Sequence, residues 1–107
     1  MRIVDCHVHS RGMIDADALL TEMDANGVDR VILLSEQPRA TLDGLRQRLD
    51  NARPAVAAAP DRVTVLAWVN PMVDGAAEVA AEALDSGFGG IKIIPDHYDV
   101  TDERLEP

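Results

Sequence analysis

The sequence predicts an α/β fold in which short strands alternate with helices and lie parallel in one sheet. Apolar runs begin near residues 2, 29, 63 and 90, and a segment with helical periodicity separates each from the next. Strict alternation of this kind produces parallel strands joined by right-handed crossovers. The strand starts are 27, 34 and 27 residues apart, close to the roughly 30 residues per unit of a (β/α)8 barrel. We therefore expect a partial (β/α)8 TIM barrel of about four strands and three helices.

The first βα unit follows directly from the start of the chain. Residues 2–9 form a strand that ends on two histidines. A helix follows, capped by Asp15 or Asp17, with apolar side chains at helical spacing up to Met23. Gly27 is expected to end this helix.

Apolar runs, and the residues that interrupt them, indicate the second unit and the third strand. Residues 30–34 are almost entirely apolar, which is typical of a strand covered on both faces. Thr41 is a suitable cap for the next helix, and Pro54 is expected to interrupt that helix. The third strand spans about 63–69 and is stopped by the Asn-Pro pair at 70–71.

The last unit repeats the pattern. Asp74 is expected to cap the third helix, Gly87 to close it, and residues 90–94 to form the fourth strand before Pro95. Residues 101–103 resemble the start of a fourth helix. A half barrel has two bare edge strands, so we expect residues 1–107 to be a fragment of a longer barrel domain. The alternatives are pairing with a second copy and a small open βα sheet.

The composition of the chain argues against some classes of binding partner. The chain has 107 residues and a net charge of −9, which argues against nucleic acid and anionic membrane surfaces. The single cysteine excludes an internal disulfide and fits a reducing compartment. No apolar stretch reaches the length of a membrane span. We expect one globular, cytoplasmic domain that acts on a small molecule.

The histidine pair is the strongest chemical signal. In a regular strand Ile3, Asp5, His7 and His9 share one face, and the two histidines lie about 6–7 Å apart at the backbone. Two neutral imidazoles on one face can bind one divalent cation, with zinc as the first choice among first-row metals. The simpler interpretation is a short strand with two polar residues on its wet face. Their place at the end of a parallel strand favours a functional site.

Five blocks of the sequence resemble a known family. They are Val4–His9, 24–34, 60–63, 69–71 and 86–95. In this order and spacing they resemble the N-terminal half of the amidohydrolase-related proteins, which are metal-dependent hydrolases with a TIM barrel. Decarboxylases related to aminocarboxymuconate-semialdehyde decarboxylase belong to the same group. The resemblance covers nearly the whole chain.

The resemblance implies roles for some residues only. His7 and His9 match the two metal ligands of the family's first strand. The other ligands and the catalytic aspartate come from later strands, so no catalytic residue can be assigned. Asp5 matches an acid commonly found before the histidines, and it either supports the metal site or makes a structural hydrogen bond.

Lys92 and His97 are candidate substrate-binding residues. In several barrels of this superfamily a lysine of the fourth strand bridges two metals, and the alternative for Lys92 is a strand-end ion pair. His97 follows the fourth strand on the predicted functional rim, and the alternative is an exposed loop histidine. The family often has a histidine just before the proline of this segment, where this chain has Ile94.

The predicted function is metal-dependent hydrolysis, in which a metal-activated water attacks an amide or ester bond of a small molecule. Non-oxidative decarboxylation by the same family is an alternative. A phosphoesterase of the polymerase-and-histidinol-phosphatase type also begins with Asp-x-His-x-His, but its second strand normally ends on Asp-His, where this chain has residues 34–36. A catalytically incomplete module that self-associates as a homo-oligomer is the remaining alternative.

Overall fold

The computed structural model describes residues 1–95 and 98–105. Strands and helices alternate along the chain, as the sequence predicts. In chain order the elements are β1 (Val4–His9), α1 (Ala16–Ala25), β2 (Arg30–Leu34), α2 (Leu42–Ala58), β3 (Val63–Trp68), α3 (Ala76–Asp85), β4 (Gly90–Lys92) and a 3-10 turn (Glu103–Leu105). The predicted α/β class, with four strands and three helices, is confirmed.

The four strands form one sheet in the order β1-β2-β3-β4, and every neighbouring pair is parallel. A helix lies in each of the three crossovers. Because right-handed crossovers between successive neighbours all lie on the same side, the three helices cover one face of the sheet. Within the described residues, β1 and β4 are the two edge strands.

The core lies between the sheet and this helical layer. The strand side chains that face the helices are Val31, Leu33, Val63, Val65 and Ala67, all buried. They pack in one cluster with helix residues that include Leu45, Leu49, Ala52, Ala55, Val79 and Ala83. The opposite face of the sheet is less covered: Thr64 is exposed, and Leu66 and Trp68 are only half-buried. The apolar run of β2 predicted cover on both faces, whereas the described helices cover one.

A bulge interrupts the ladder between β1 and β2. Asp5 pairs with Val31, and Val8 pairs with Leu33. Two residues of β1 therefore stand opposite a single residue of β2, which is the arrangement of a β-bulge. An extra residue reverses the alternation of side chains on one side of the bulge.

The bulge corrects one prediction about the histidine face. Asp5 lies on the helix side, where it lines a groove with Val8 and residues of α1. Ile3, Asp5, His7 and His9 were expected to share one face, and this is wrong for Asp5. The reason is local, because Asp5 Oδ1 accepts a hydrogen bond from the backbone N–H of His7 at 3.1 Å and thereby stabilises the irregular turn of the strand.

Two helix caps agree with the sequence and one does not. Asp15 Oδ1 accepts the N–H of Ala18 at 3.0 Å, and Thr41 Oγ1 accepts the N–H of Gly44 at 3.2 Å. Both predicted caps are confirmed. The prediction of Asp74 as the cap of α3 is wrong: Gly75 occupies that position with φ of 83°, in the left-handed region that favours glycine, and no side chain caps the helix.

Three boundaries also differ from the prediction. α2 continues through Pro54 to Ala58, because Ala52 and Ala55 on its buried side are fully enclosed by the core. β4 ends at Lys92 rather than at 94, after Lys92 accepts a bond from the N–H of Val69. Near residues 101–103 the chain forms the short 3-10 turn instead of a helix start. No helix within residues 1–95 and 98–105 has both the length and the apolar composition needed to cross a membrane.

Candidate functional site

The candidate site lies at the edge of the sheet where the carboxyl ends of the strands meet. β1 ends at His9, β3 at Trp68 and β4 at Lys92, while Ser35 and Glu36 follow β2. Loops and side chains at this edge of a parallel sheet are well placed to bind ligands. The fold thus gathers side chains that are far apart in the sequence.

His7 and His9 form a close pair at this edge. Their Nε2 atoms are 2.8 Å apart, and their ring centres are 4.8 Å apart. Both side chains are exposed to solvent. The expectation that the two imidazoles lie together on one side of β1 therefore agrees with the structure, although the bulge moves Asp5 to the other side.

The geometry of the pair fits two adjacent ligands of one metal ion. A tetrahedral zinc with Zn–N bonds of about 2.0–2.1 Å holds two nitrogens about 3.3–3.4 Å apart. The observed separation of 2.8 Å is shorter by about half an ångström, which a small rotation of either side chain supplies. At 2.8 Å the two atoms are within hydrogen-bonding distance, which requires a hydrogen on one Nε2 and a lone pair on the other. Metal binding would require the Nδ1–H tautomer of both rings, so that both Nε2 lone pairs point at the ion.

Electrostatics keep His9 in the form that binds metals. Loss of solvent around the ring, which contacts Trp68, lowers the pKa of His9. The charges of Lys92, His7 and Arg11 lower it further. The lowered pKa favours the neutral imidazole, which is the form that binds a metal.

The described residues supply only part of a complete ligand set. No group of three or more His, Cys, Asp or Glu side chains comes together in residues 1–95 and 98–105. Asp5, the nearest acid in the sequence, lies on the helix side and bonds the His7 backbone. Of the two roles weighed for Asp5, the structure shows the structural hydrogen bond.

Trp68 connects His9 to Lys92. The indole lies 5.5 Å from the His9 ring centre, and Lys92 Nζ lies 5.0 Å from the centre of the Trp68 ring. Such a contact is a cation–π interaction. The fully buried hydroxyl of Ser35 accepts the backbone N–H of Trp68 at 2.8 Å and holds the end of β3 against β2. Within residues 1–95 and 98–105, the contact of Lys92 with a charged or aromatic partner is this one over the indole.

A carboxylate beside the histidines is engaged by two partners. Glu36 forms a salt bridge with Arg48 and accepts a hydrogen bond from Asn51 Nδ2 at 2.8 Å. The hydrogen bond from Arg48 lowers the pKa of Glu36 most, and Asn51 and the Gly12 backbone lower it further. The Glu36 carboxylate is therefore ionised and bound by Arg48 and Asn51. It lines the site and is not available as a free base.

These side chains line an open cleft of about 470 Å³. Its lining residues are His9, Ser10, Arg11, Glu36, Gln37, Arg48 and Trp68. The cleft is large enough for a small molecule. Although the chain carries a net charge of −9, Arg11 and Lys92 make the surroundings of His9 locally cationic.

The sequence predicted some of these site residues and missed others. His7, His9 and Lys92 come together at one edge, and His97 lies outside the described residues. Arg11 and Glu36 were not predicted as site residues. Their only signal is that each follows shortly after a strand that ends at the functional edge.

Comparison with known proteins gives no family assignment: no protein-family model matches the chain, and no curated protein matches it.

Proposed function

We propose that this chain forms part of the active site of a metal-dependent hydrolase of the amidohydrolase type, acting on a small molecule. The observation that carries the proposal is the pair of Nε2 atoms, 2.8 Å apart at the carboxyl edge of a parallel sheet. A buried structural role does not explain two exposed imidazoles beside an open cleft. The sequence blocks that resemble this family support the same function.

His7 and His9 would hold a divalent metal, zinc first among the candidates, together with ligands from outside the described residues. When bound, such an ion lowers the pKa of a coordinated water to about 7 and polarises a carbonyl oxygen. This chain would contribute two imidazole ligands, and the surroundings of His9 lower its pKa. Trp68 would provide an apolar wall for the substrate, and Lys92 would orient a negatively charged group beside it.

One observation favours a second candidate, non-oxidative decarboxylation. Lys92 and Arg11 both place positive charge near His9 in a chain that is otherwise strongly acidic. Cations at this position suit a substrate carboxylate, and a carboxylate is the group that a decarboxylase removes. If Lys92→Gln weakens binding of benzoate to the metal-loaded chain but not of benzamide, the decarboxylase candidate gains over amide hydrolysis.

Zinc titration by isothermal calorimetry tests the metal site without requiring turnover. We expect His7→Ala and His9→Ala each to weaken zinc binding by at least about tenfold, because even partners of metal ligands contribute 10–100-fold. Glu82→Ala is the matched control, since it removes an exposed carboxylate of α3 that pairs with Arg46 in the helical layer. Equal zinc affinity in the wild type and both pair variants would end the proposal.

A further inference from the structure

We propose that Glu36 is a positioning residue that fixes the loop between β1 and α1, so that Arg11 on this loop binds an anionic oxygen group of the substrate. This role rests on the proposed function, because it takes the cleft beside His9 to be a substrate site. It adds the chemical class of one group that the substrate carries, a carboxylate or a phosphate.

The loop of residues 10–15 is bonded along its length to the elements behind it. Three alternate N–H groups, those of residues 10, 12 and 14, donate hydrogen bonds. Their acceptors are, in that order, Leu34 O at 3.0 Å, the Glu36 carboxylate and Asn51 O at 3.1 Å. Arg11 therefore lies between two residues whose backbones are held, while its own side chain is exposed.

Glu36 joins this loop to α2. Its carboxylate accepts hydrogen bonds from Arg48 and from Asn51 Nδ2 as well as from the Gly12 N–H. Arg48 and Asn51 are three residues apart, so they lie on the same side of the helix. The Glu36 side chain is only 12% exposed. Of the three acceptors that hold the loop, it is the one that a side-chain substitution can remove while the two backbone carbonyls stay.

Gly12 gives the loop a conformation that other residues rarely adopt. Its φ is 83°, in the left-handed region that favours glycine. A Cβ at this position would lie in open space among the described residues. The backbone conformation, rather than a steric contact, therefore favours glycine here, and a substitution disturbs the loop without changing any charge in the cleft.

Arg11 supplies the net positive charge of the cleft lining. The charged side chains among its described lining residues are those of Arg11, Glu36 and Arg48, and the last two neutralise each other in their salt bridge. The charge of Arg11 also reaches His9, where it contributes to the lowered pKa of the imidazole. A guanidinium binds a carboxylate or a phosphate through two parallel N–H···O bonds. An anionic oxygen group is therefore the ligand that suits Arg11 beside His9.

A loop that is held before the ligand arrives binds more tightly than a mobile one. A ligand that binds a mobile loop must also order it, and this ordering reduces the affinity. The bond from the Gly12 N–H to Glu36 is already formed in this structure. We therefore expect the loss of this bond to weaken anion binding by about fivefold, the effect of one ordinary hydrogen bond.

NMR titration of the metal-free chain with three ligands that share a phenyl ring tests the proposal. Benzoate and phenyl phosphate carry an anionic group, and benzamide is the neutral control. We expect the anions to shift the amides of residues 10–12 and the indole N–H of Trp68, the only tryptophan. The anion that binds more tightly shows whether the recognised group is a carboxylate or a phosphate. Arg11→Gln should weaken its binding by at least about tenfold and leave that of benzamide unchanged.

The sign of the effect of Glu36→Gln separates positioning from charge. The substitution removes a negative charge near the anion, so electrostatics alone would strengthen binding. The positioning role predicts the opposite, a binding of the anion that is about fivefold weaker. Glu82→Gln is the matched control, because it also removes one carboxylate, which pairs with Arg46 in the exposed helical layer. This variant should bind the anion like the wild type.

Gly12→Ala is a second loop variant that keeps every charge, and it should also weaken binding of the anion. Circular dichroism confirms that each variant is folded. Anion binding by Glu36→Gln that equals or exceeds that of the wild type would overturn the proposal. Unchanged anion binding by Arg11→Gln, or a wild type that binds neither anion, would overturn it as well.

The zinc titration described above distinguishes failure of this role from failure of the proposed function. Zinc binding by the histidine pair without anion binding would reject the role of Glu36 and Arg11 and leave the proposed function standing. Anion binding through Arg11 in a chain that binds no zinc would reject the proposed function and leave the anion site.

Discussion

At the scale of single residues, Asp5 sets the position of the histidine pair. Its Oδ1 bonds the His7 N–H across the bulge of β1. We expect Asp5→Ala to lower the free energy of unfolding by about 1 kcal/mol, the net worth of one such bond. Asp5→Asn keeps an oxygen acceptor and should stay within about 0.5 kcal/mol of the wild type. Urea denaturation of the three proteins measures both values.

The same two variants separate geometry from charge in metal binding. If Asp5 acts only through its bond to the backbone, Asp5→Asn should bind zinc like the wild type, and Asp5→Ala should bind it more weakly. An equal loss in both variants would mean that the negative charge of Asp5 matters, contrary to its position on the helix side of the sheet.

Glu36 makes stability depend on pH. Its salt bridge with Arg48 places its pKa below the ordinary value of 4.5. The stabilisation is therefore fully present above pH 4.5 and is lost as the pH falls through the lower pKa of the folded state. We expect Glu36→Gln to cost about 2 kcal/mol at pH 7, in the range for hydrogen bonds to charged groups, and the difference from the wild type to shrink below pH 4.5.

Denaturation curves recorded from pH 7 to pH 3 check this prediction. Glu82→Gln is the matched control, since it removes a carboxylate paired with Arg46 at the exposed surface, where ion pairs contribute little. It should change stability only slightly. A constant difference between the wild type and Glu36→Gln across this pH range would contradict the assignment.

At the scale of elements, α2 has a proline, Pro54, inside the helix. A proline inside a helix leaves the carbonyl of Asp50 without its usual partner and crowds that carbonyl. We expect Pro54→Ala to raise the free energy of unfolding by about 1–2 kcal/mol, somewhat less than the roughly 3 kcal/mol helix cost, because proline also restricts the unfolded chain.

For a second proline, Pro60, we expect substitution by alanine to have the opposite effect on stability. Pro60 lies in the turn between α2 and β3, where its ring does not interrupt a helix. Pro60→Ala should lower stability by about 0.4–1 kcal/mol by making the unfolded chain more flexible. Thermal and urea denaturation of both variants distinguish the signs, and a loss of stability in Pro54→Ala would show that α2 depends on its proline.

The elements also show which features of the fold can be predicted from sequence periodicity and which cannot. The strands were located because each is a short apolar run between helix-like segments, and the caps at Asp15 and Thr41 were located because capping is local. The continuation of α2 past Pro54 was not predictable from local rules, because it depends on burial of Ala52 and Ala55 by the sheet. The bulge in β1 has the same origin, since register depends on the partner strand.

At the scale of the whole molecule, the candidate site was predictable only where its residues are close in sequence. His7 and His9 are two residues apart, so strand geometry alone brings their rings together. The contacts of Trp68 with His9 and with Lys92 require the strand order of the complete sheet. Glu36 and Arg48 lie in a loop and a helix, and no local pattern marks their pairing.

Cys6 in the bulge gives the natural chain a ready attachment point for a spectroscopic label. It is the only cysteine, it is exposed, and it is next to His7. A nitroxide attached there would sense a paramagnetic ion bound by the histidines through relaxation enhancement, with no engineered thiol.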